Sequence, residues 1–283
     1  MHSNPFSDDE LSRRLAATRQ EMAIRGLDLV LLSAPEHVFY LTGLDHWGYF
    51  APHVLIVAAE GELVLVTRAM EHVAIRNQVR NATFIGHSDS ESAADVVVKH
   101  LNGAGSGKMI GLESASAGLS YAMGEALKQG IDDASWVDIT GMLDEMRLVK
   151  STEEQRFMRS AAVASDAGTQ AAIHAIHDGA KEADVAAECL AAMTRAGGTP
   201  PGFGPFLRPS HRMAEEHTTW GDGEHHEAVF LEIAGCVARY NAPMGRLVNI
   251  GRISDEDAEM ANICGEAFDA TLRALKVGAR AKD

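Results

Sequence analysis

Three serines, each standing three residues ahead of an acid, mark where helices must begin in this chain. They are Ser7-Asp8-Asp9-Glu10, Ser151-Thr152-Glu153-Glu154 and Ser254-Asp255-Glu256-Asp257. Each puts a hydroxyl where a first-turn amide needs an acceptor, and in the first two a Glu can reach back to the serine. The residues that follow repeat at helical spacing: Leu11, Leu15 and Met22, then Phe157, Met158 and Ala161. After the third start come Met260, Ile263, Cys264, Ala267, Phe268, Thr271, Leu272 and Leu275, a stripe close to ideal for one buried face. Residues 161–196 are alanine-rich, as in a long helix or a helix pair.

Between the first two starts, strands and helices alternate. After Gly26, LDLVLLSA reads as a buried strand, and residues 37–41 (HVFYL) lead into a turn at Thr42-Gly43. Residues 53–58 and 62–67, joined at Glu60-Gly61, read as a hairpin. MIGLE at 109–113 and the stretch 136–139 are further strands, 116–128 a helix closed by Gly130, and 141–147 a short helix. This predicts an α/β domain over residues 1–149. From 150 to 283 the order is helix, a Gly- and Pro-rich loop at 197–209, strands at 228–233 and 247–250, and a last helix stopped at Val277-Gly278. That half is α+β. It ends at Ala279-Arg280-Ala281-Lys282-Asp283 with no closing element, as if interrupted.

Lys and Arg number 25 against 40 Asp and Glu, a net charge of −15 without a basic cluster, which argues against nucleic acid as a partner. No apolar run approaches the length of a membrane span, and the N-terminus lacks an apolar signal region. Cys189, Cys236 and Cys264 are scattered, which fits a reducing cytoplasm better than a disulfide framework or structural zinc.

Residues 215–251 hold most of the candidate chemistry. Glu232 falls at or near the end of a strand expected to be buried, where a carboxylate must be ion-paired, metal-bound or raised in pKa. Arg239 and Arg246 are the candidate ion-pair partners, and either also suits a substrate carboxylate. His225-His226, among acids, reads as a solvated turn, and His217 as a loop histidine able to exchange protons near neutral pH. Trp220 is a candidate pocket wall. Trp47, Tyr49 and Phe50 form an aromatic group that is either local core or a cover for a ligand.

Several of these stretches together resemble the creatinase, prolidase and aminopeptidase P superfamily with its pita-bread fold. EHVFYLTGL is similar to the Tyr-Leu-Thr-Gly turn of its N-terminal domain, with His37 where Asn is usual. IGLES and WVDITGMLDEMRLVKSTEEQRFMRSAA resemble its domain junction. The metallopeptidases of the superfamily carry two aspartates eleven positions apart. Here those positions are Glu232 and Pro243, and proline offers no side-chain ligand, so the resemblance implies no dinuclear metal site. Creatinase also works without metal, and its catalytic His matches His217. It carries a Glu before the strand-pair Arg, whereas Gly245 precedes Arg246 here, which argues against creatine.

HTTW, FLEIAGC, RYNAPMGR and GLDHWGYFAPHVLIV look most like the ectoine hydrolase branch, whose members open a cyclic amidine; Asn241 departs from its usual His. The resemblance implies a metal- and cofactor-free hydrolase acting on a non-peptide C–N bond of a small zwitterion. Glu232 would be nucleophile or general base and His217 the proton shuttle. Arg239, Arg246, Trp47, Trp220 and Tyr240 would bind substrate. It further implies a cytoplasmic homodimer, with no nucleic-acid or membrane partner. It also implies that a last catalytic segment is missing, leaving an exposed apolar patch and a chain incomplete as a catalyst. The rivals are a metal-dependent Xaa-Pro dipeptidase or aminopeptidase, and an inactive fragment or non-catalytic binding protein of the same superfamily.

Overall fold

The computed structural model describes residues 3–101 and 103–280; the first two residues and the last three of the C-terminal ending lie outside the described residues. The chain forms two compact units, one running to Gln155 and the other starting at Arg156.

In the first unit α1 (Asp8–Ile24) starts where Ser7 accepts the Glu10 amide. Glu10 does not reach back, because its carboxylate takes Arg13 and Arg14, and Glu153 accepts the Ser7 amide instead. Arg14 is fully buried, its guanidinium 3.8 Å from the Phe6 ring centroid and 4.2 Å from that of Tyr40, and it donates to the Tyr40 carbonyl. Next come β1 (Leu29–Leu32), α2 (Pro35–Thr42), β2 (Val54–Ala58) and β3 (Leu63–Arg68). The segment expected only to lead into a turn is thus a helix. Pro35 presets its first turn, and Gly43, at φ 72°, takes the left-handed position that closes it.

Three elements left unassigned by periodicity follow: α3 (His72–Gln78), β4 (Ala82–His87) and α4 (Ala93–Leu101). The unit continues with β5 (Met109–Leu112), α5 (Tyr121–Gly130), β6 (Ser135–Asp138) and α6 (Met142–Met146). Helix α5 begins five residues later than its pattern suggests, because Ser120 caps it by accepting the Met123 amide. The strands form one mixed sheet in the order β4-β3-β2-β1-β5-β6. Strand β1 is buried on both faces. Val30 and Leu32 pack with Met22, Leu41 and Leu143 on one side, while Leu29 and Leu31 pack with Val97 and Leu127 on the other. A strand covered by helices on both faces must be apolar throughout, hence LVLL rather than an alternating pattern.

Helix α7 (Thr152–Ala175) opens with a reciprocal capping box: Ser151 accepts the Glu154 amide at 3.2 Å and Glu154 accepts the Ser151 amide at 2.8 Å. The second unit then builds β7 (Ala180–Lys181), α8 (Glu182–Arg195), β8 (Phe206–Pro209), β9 (Glu224–His225), β10 (Ala228–Val237), β11 (Tyr240–Asn249) and α9 (Asp255–Ala274). The alanine-rich stretch is therefore a helix pair, and the Gly- and Pro-rich loop ends in a strand. Strands β11, β10 and β8 form an antiparallel sheet in that order. Leu207, Leu231 and Ile233 pack with Ala172 of α7 and Val185, Cys189 and Met193 of α8. Gly235 lets the sheet touch the α7 backbone: a Cβ there would stand 2.4 Å from the Ala161 carbonyl oxygen. Ser165 ties the two together, accepting the Gly235 amide and donating to the Ala242 carbonyl.

Helix α9 forms where its cap signal lies, with Ser254 accepting the Asp257 amide, but its apolar stripe is not buried. Met260, Ile263, Phe268 and Leu272 are all exposed, because no described element packs on that face. Among the described residues no helix is long and apolar enough to cross a membrane.

Candidate functional site on one face of the β8–β10–β11 sheet

Register decides which side chains can meet. Glu232 pairs with Gly245 on β11 and Phe206 on β8, and Phe230 pairs with Leu247 and Arg208. Side chains alternate along a strand, so Phe230 and Glu232 share the face that looks away from α7 and α8. Their burial agrees, since both are half-buried while Val229, Leu231 and Ile233 are buried. Phe206 and Arg208 lie on that face too, the Arg208 guanidinium 4.4 Å from the Phe230 ring centroid. Phe206 stacks on Phe203 at 5.0 Å and meets the His217 ring edge-on at 6.1 Å.

Phe206 thus stands next to both residues, as the register partner of Glu232 and in edge-on ring contact with His217. Glu232 is mid-strand and half-buried, not sealed in a core, so it needs no buried partner. Gly245 opposite it leaves open space: a Cβ there would find no atom closer than 4.0 Å. His217 is exposed and held at φ 55°, a left-handed conformation costing a non-glycine residue about 1–2 kcal/mol. Strain of this kind gathers where a side chain must be aimed. Together the face offers a carboxylate and a buried guanidinium beside apolar rings, with an imidazole at the edge of Phe206.

The remaining residues singled out from the sequence are dispersed. Arg246 pairs with Leu231 and so lies on the opposite face from Glu232. Arg239 forms the hairpin turn with Ala238, both at positive φ, about 17 Å of extended strand from Glu232. Neither is its ion-pair partner. Tyr240 stacks on Phe157 of α7 at 5.8 Å and 15°, so it packs the helix side and does not line the Glu232 face. Trp220 packs against the core cluster under the sheet. Trp47 belongs to the first unit, where it is exposed with Phe50 on a short 3₁₀ turn. Tyr49 lies inward between His46 and His53 and donates to the Leu44 carbonyl.

His225 and His226 separate. His226 is exposed and pairs with Asp178, as a solvated turn predicts. His225 is fully buried on β9, paired in register with Ala180, and neither ring nitrogen has a hydrogen-bond partner among the described residues. Burial pulls its pKa down, opposed by the Glu182 charge and reinforced by Arg212 and His226.

Two further groups escaped periodicity. Arg208 sits in a stretch that composition marks as loop; its only sequence signal is the two-residue spacing from Phe206. His37 stands between two carboxylates, donating from Nδ1 to Glu113 and, when protonated, from Nε2 to Asp144 at 3.1 Å. Glu113 also accepts the Ser33 and Ala34 amides at 3.1 and 3.2 Å. Burial pulls the His37 imidazole down, but the hydrogen bond and charge of Glu113, with Asp144, outweigh it and Arg147 and hold it above its ordinary value.

Residues 14–149 match the creatinase/prolidase N-terminal domain, and residues 156–283 match metallopeptidase family M24. The ectoine hydrolase of Halomonas elongata is 27% identical over 99% of this chain and 76% of its own length. An Xaa-Pro dipeptidase of Pyrococcus furiosus is 23% identical over 96% of this chain and 75% of its own. Among solved structures, a prolidase from Thermococcus sibiricus superposes with a TM-score of 0.81 at 20% identity, covering 94% of this chain and 72% of that one. The metal that such a family implies requires converging carboxylates. Pro243 pairs with Ala234, on the same face as Glu232, so the two positions are neighbours but one is a pyrrolidine ring. Among the described residues no three His, Cys, Asp or Glu side chains are grouped to hold an ion. The donor set here does not fit a dinuclear centre.

Proposed function

Because this chain belongs to the creatinase, prolidase and aminopeptidase P superfamily of pita-bread hydrolases, we propose that it hydrolyses a non-peptide C–N bond of a small zwitterion, without metal, in the manner of an ectoine hydrolase. The observation that supports the reading is Phe206, register partner of Glu232 and in edge-on contact with His217, with proline at the neighbouring ligand position. Glu232 either attacks the amidine carbon or takes a proton from the water that does, and His217 returns a proton to the departing nitrogen. Water adds across the C=N bond and one ring C–N bond breaks, leaving an amide and an amine. Arg239 and Arg246, as placed, do not serve this face; the rings of Phe206 and Phe230 keep it apolar.

The reading carries with it a cytoplasmic homodimer that takes a small molecule rather than nucleic acid or a membrane, in keeping with a net charge of −15. Mass spectrometry of the protein incubated with ectoine tests it. A product heavier by one water is expected, abolished by Glu232→Gln and by His217→Ala with the fold retained. The double variant should be no worse than either single one, since partners in one step fail together. Similarity to Xaa-Pro dipeptidases favours a second reading, metal-dependent cleavage before proline. Release of proline from a dipeptide only when manganese or cobalt is added would select it.

A further inference from the structure

Arg208 is a buried cation without a buried counter-charge. Its side chain is 6% exposed, and the acid nearest in charge contact, Glu216, stands 4.0 Å from Nη1 while itself 79% exposed. Nη1 donates to the Glu215 carbonyl at 2.6 Å, and the Nε–H is sealed from solvent with no acceptor among the described residues. The face of Phe230 lies beneath the guanidinium. A guanidinium taken out of water in this way is costly unless an anion completes it, and a planar Nε/Nη edge is shaped for a carboxylate. A carboxylate at 4.0 Å in solvent does little of that.

The position of this edge matters as much as its lack of a partner. Arg208 is two residues along β8 from Phe206, which pairs with Glu232, so Arg208 and Glu232 are diagonal neighbours on one sheet face. Such neighbours lie about 7–8 Å apart at the backbone. That gap suits a ligand of one small ring bearing a carboxylate, with the acid end on Arg208 and the reacting carbon toward Glu232 and His217.

We propose that Arg208 is the residue that binds the carboxylate of the substrate, and that the site therefore selects small carboxylate-bearing rings over their neutral analogues. This deepens the reading of Glu232 and His217 given above and rests on it for the reacting end of the ligand. The bound carboxylate displaces Glu216 and gives the Nε–H its missing acceptor.

Calorimetry on the full chain tests this, using ectoine and its carboxamide as probes and the Glu232→Gln background to prevent turnover. Ectoine should bind at least tenfold more tightly than the carboxamide. Adding Arg208→Gln should bring the ratio close to one, and Arg208→Lys should restore part of it, with unfolding temperatures recorded for each variant. An unchanged ratio in a folded Arg208→Gln protein overturns the proposal while leaving the hydrolase reading intact. If the chain neither binds nor converts ectoine, the substrate reading fails, and the Arg208 Nε–H resonance of the wild-type protein decides the anchor separately. It should shift saturably with acetate at constant ionic strength; no movement overturns the proposal even where the glutamine variant does not fold.

Discussion

Replacing Glu113 by Gln should turn the pH dependence of the first unit into a measurement of His37. Glu113 accepts three donors, the amides of Ser33 and Ala34 and the Nδ1–H of His37. Glutamine has the same shape, and its amide oxygen can still take both backbone amides. What it loses is the charge-assisted bond to the imidazolium, about 1.5–3 kcal/mol for a buried pair. His37 and Glu113 are each 5% exposed, so solvent screens little of that, whereas Asp144 at 63% exposure contributes little on the Nε2 side. In a unit of this size each kcal/mol moves the melting temperature by roughly 2–4 °C, giving about 3–12 °C in all.

The sign follows from the raised pKa of His37 in the folded state. Its stabilisation is complete below the unfolded value, near 6.5, and is lost as pH rises through the higher folded value. The gap between wild type and Glu113→Gln should therefore be widest at pH 6 and narrow by pH 9. Thermal unfolding of the full chain at both pH values measures it, with hydrogen exchange at the Ser33 and Ala34 amides as the local readout. His37→Asn should remove the pH-dependent part altogether. A gap that is constant across this range, or wider at pH 9, would refute the reasoning.

Three other outcomes are expected. Activity on ectoine should survive dialysis against a strong chelator, with less than one equivalent of transition metal in the purified protein by elemental analysis; activity lost on removal and restored by metal would revive the peptidase reading. Gly235→Ala should destabilise the second unit by about 3 kcal/mol or more in urea unfolding, because its Cβ would meet backbone atoms of α7 that cannot yield as a side chain could. Replacing Ala238-Arg239 by Asn-Gly should stabilise the chain by about 1–2 kcal/mol with binding unchanged, since both positions have positive φ in a two-residue hairpin turn.

What could be read from the residues alone was whatever depends on neighbours in the chain. The caps at Ser7, Ser151 and Ser254, the β2–β3 hairpin and the helix pair in the alanine-rich stretch are local hydrogen-bonding and packing patterns, complete within a few turns of backbone. So was the family resemblance, carried by short runs such as the junction motif. Which face a strand residue occupies is settled by pairing with strands distant in sequence, and a shift of one residue inverts it. Tertiary pairing therefore decided that Glu232 stands with Phe206 and Arg208, that Arg246 faces the other way, and that Tyr240 packs on Phe157. Burial was decided in the same manner. His225, beside acids in the sequence, is buried on the strand paired with β7, while the ideal stripe of α9 stays exposed because amphipathicity provides a face but not the surface to cover it.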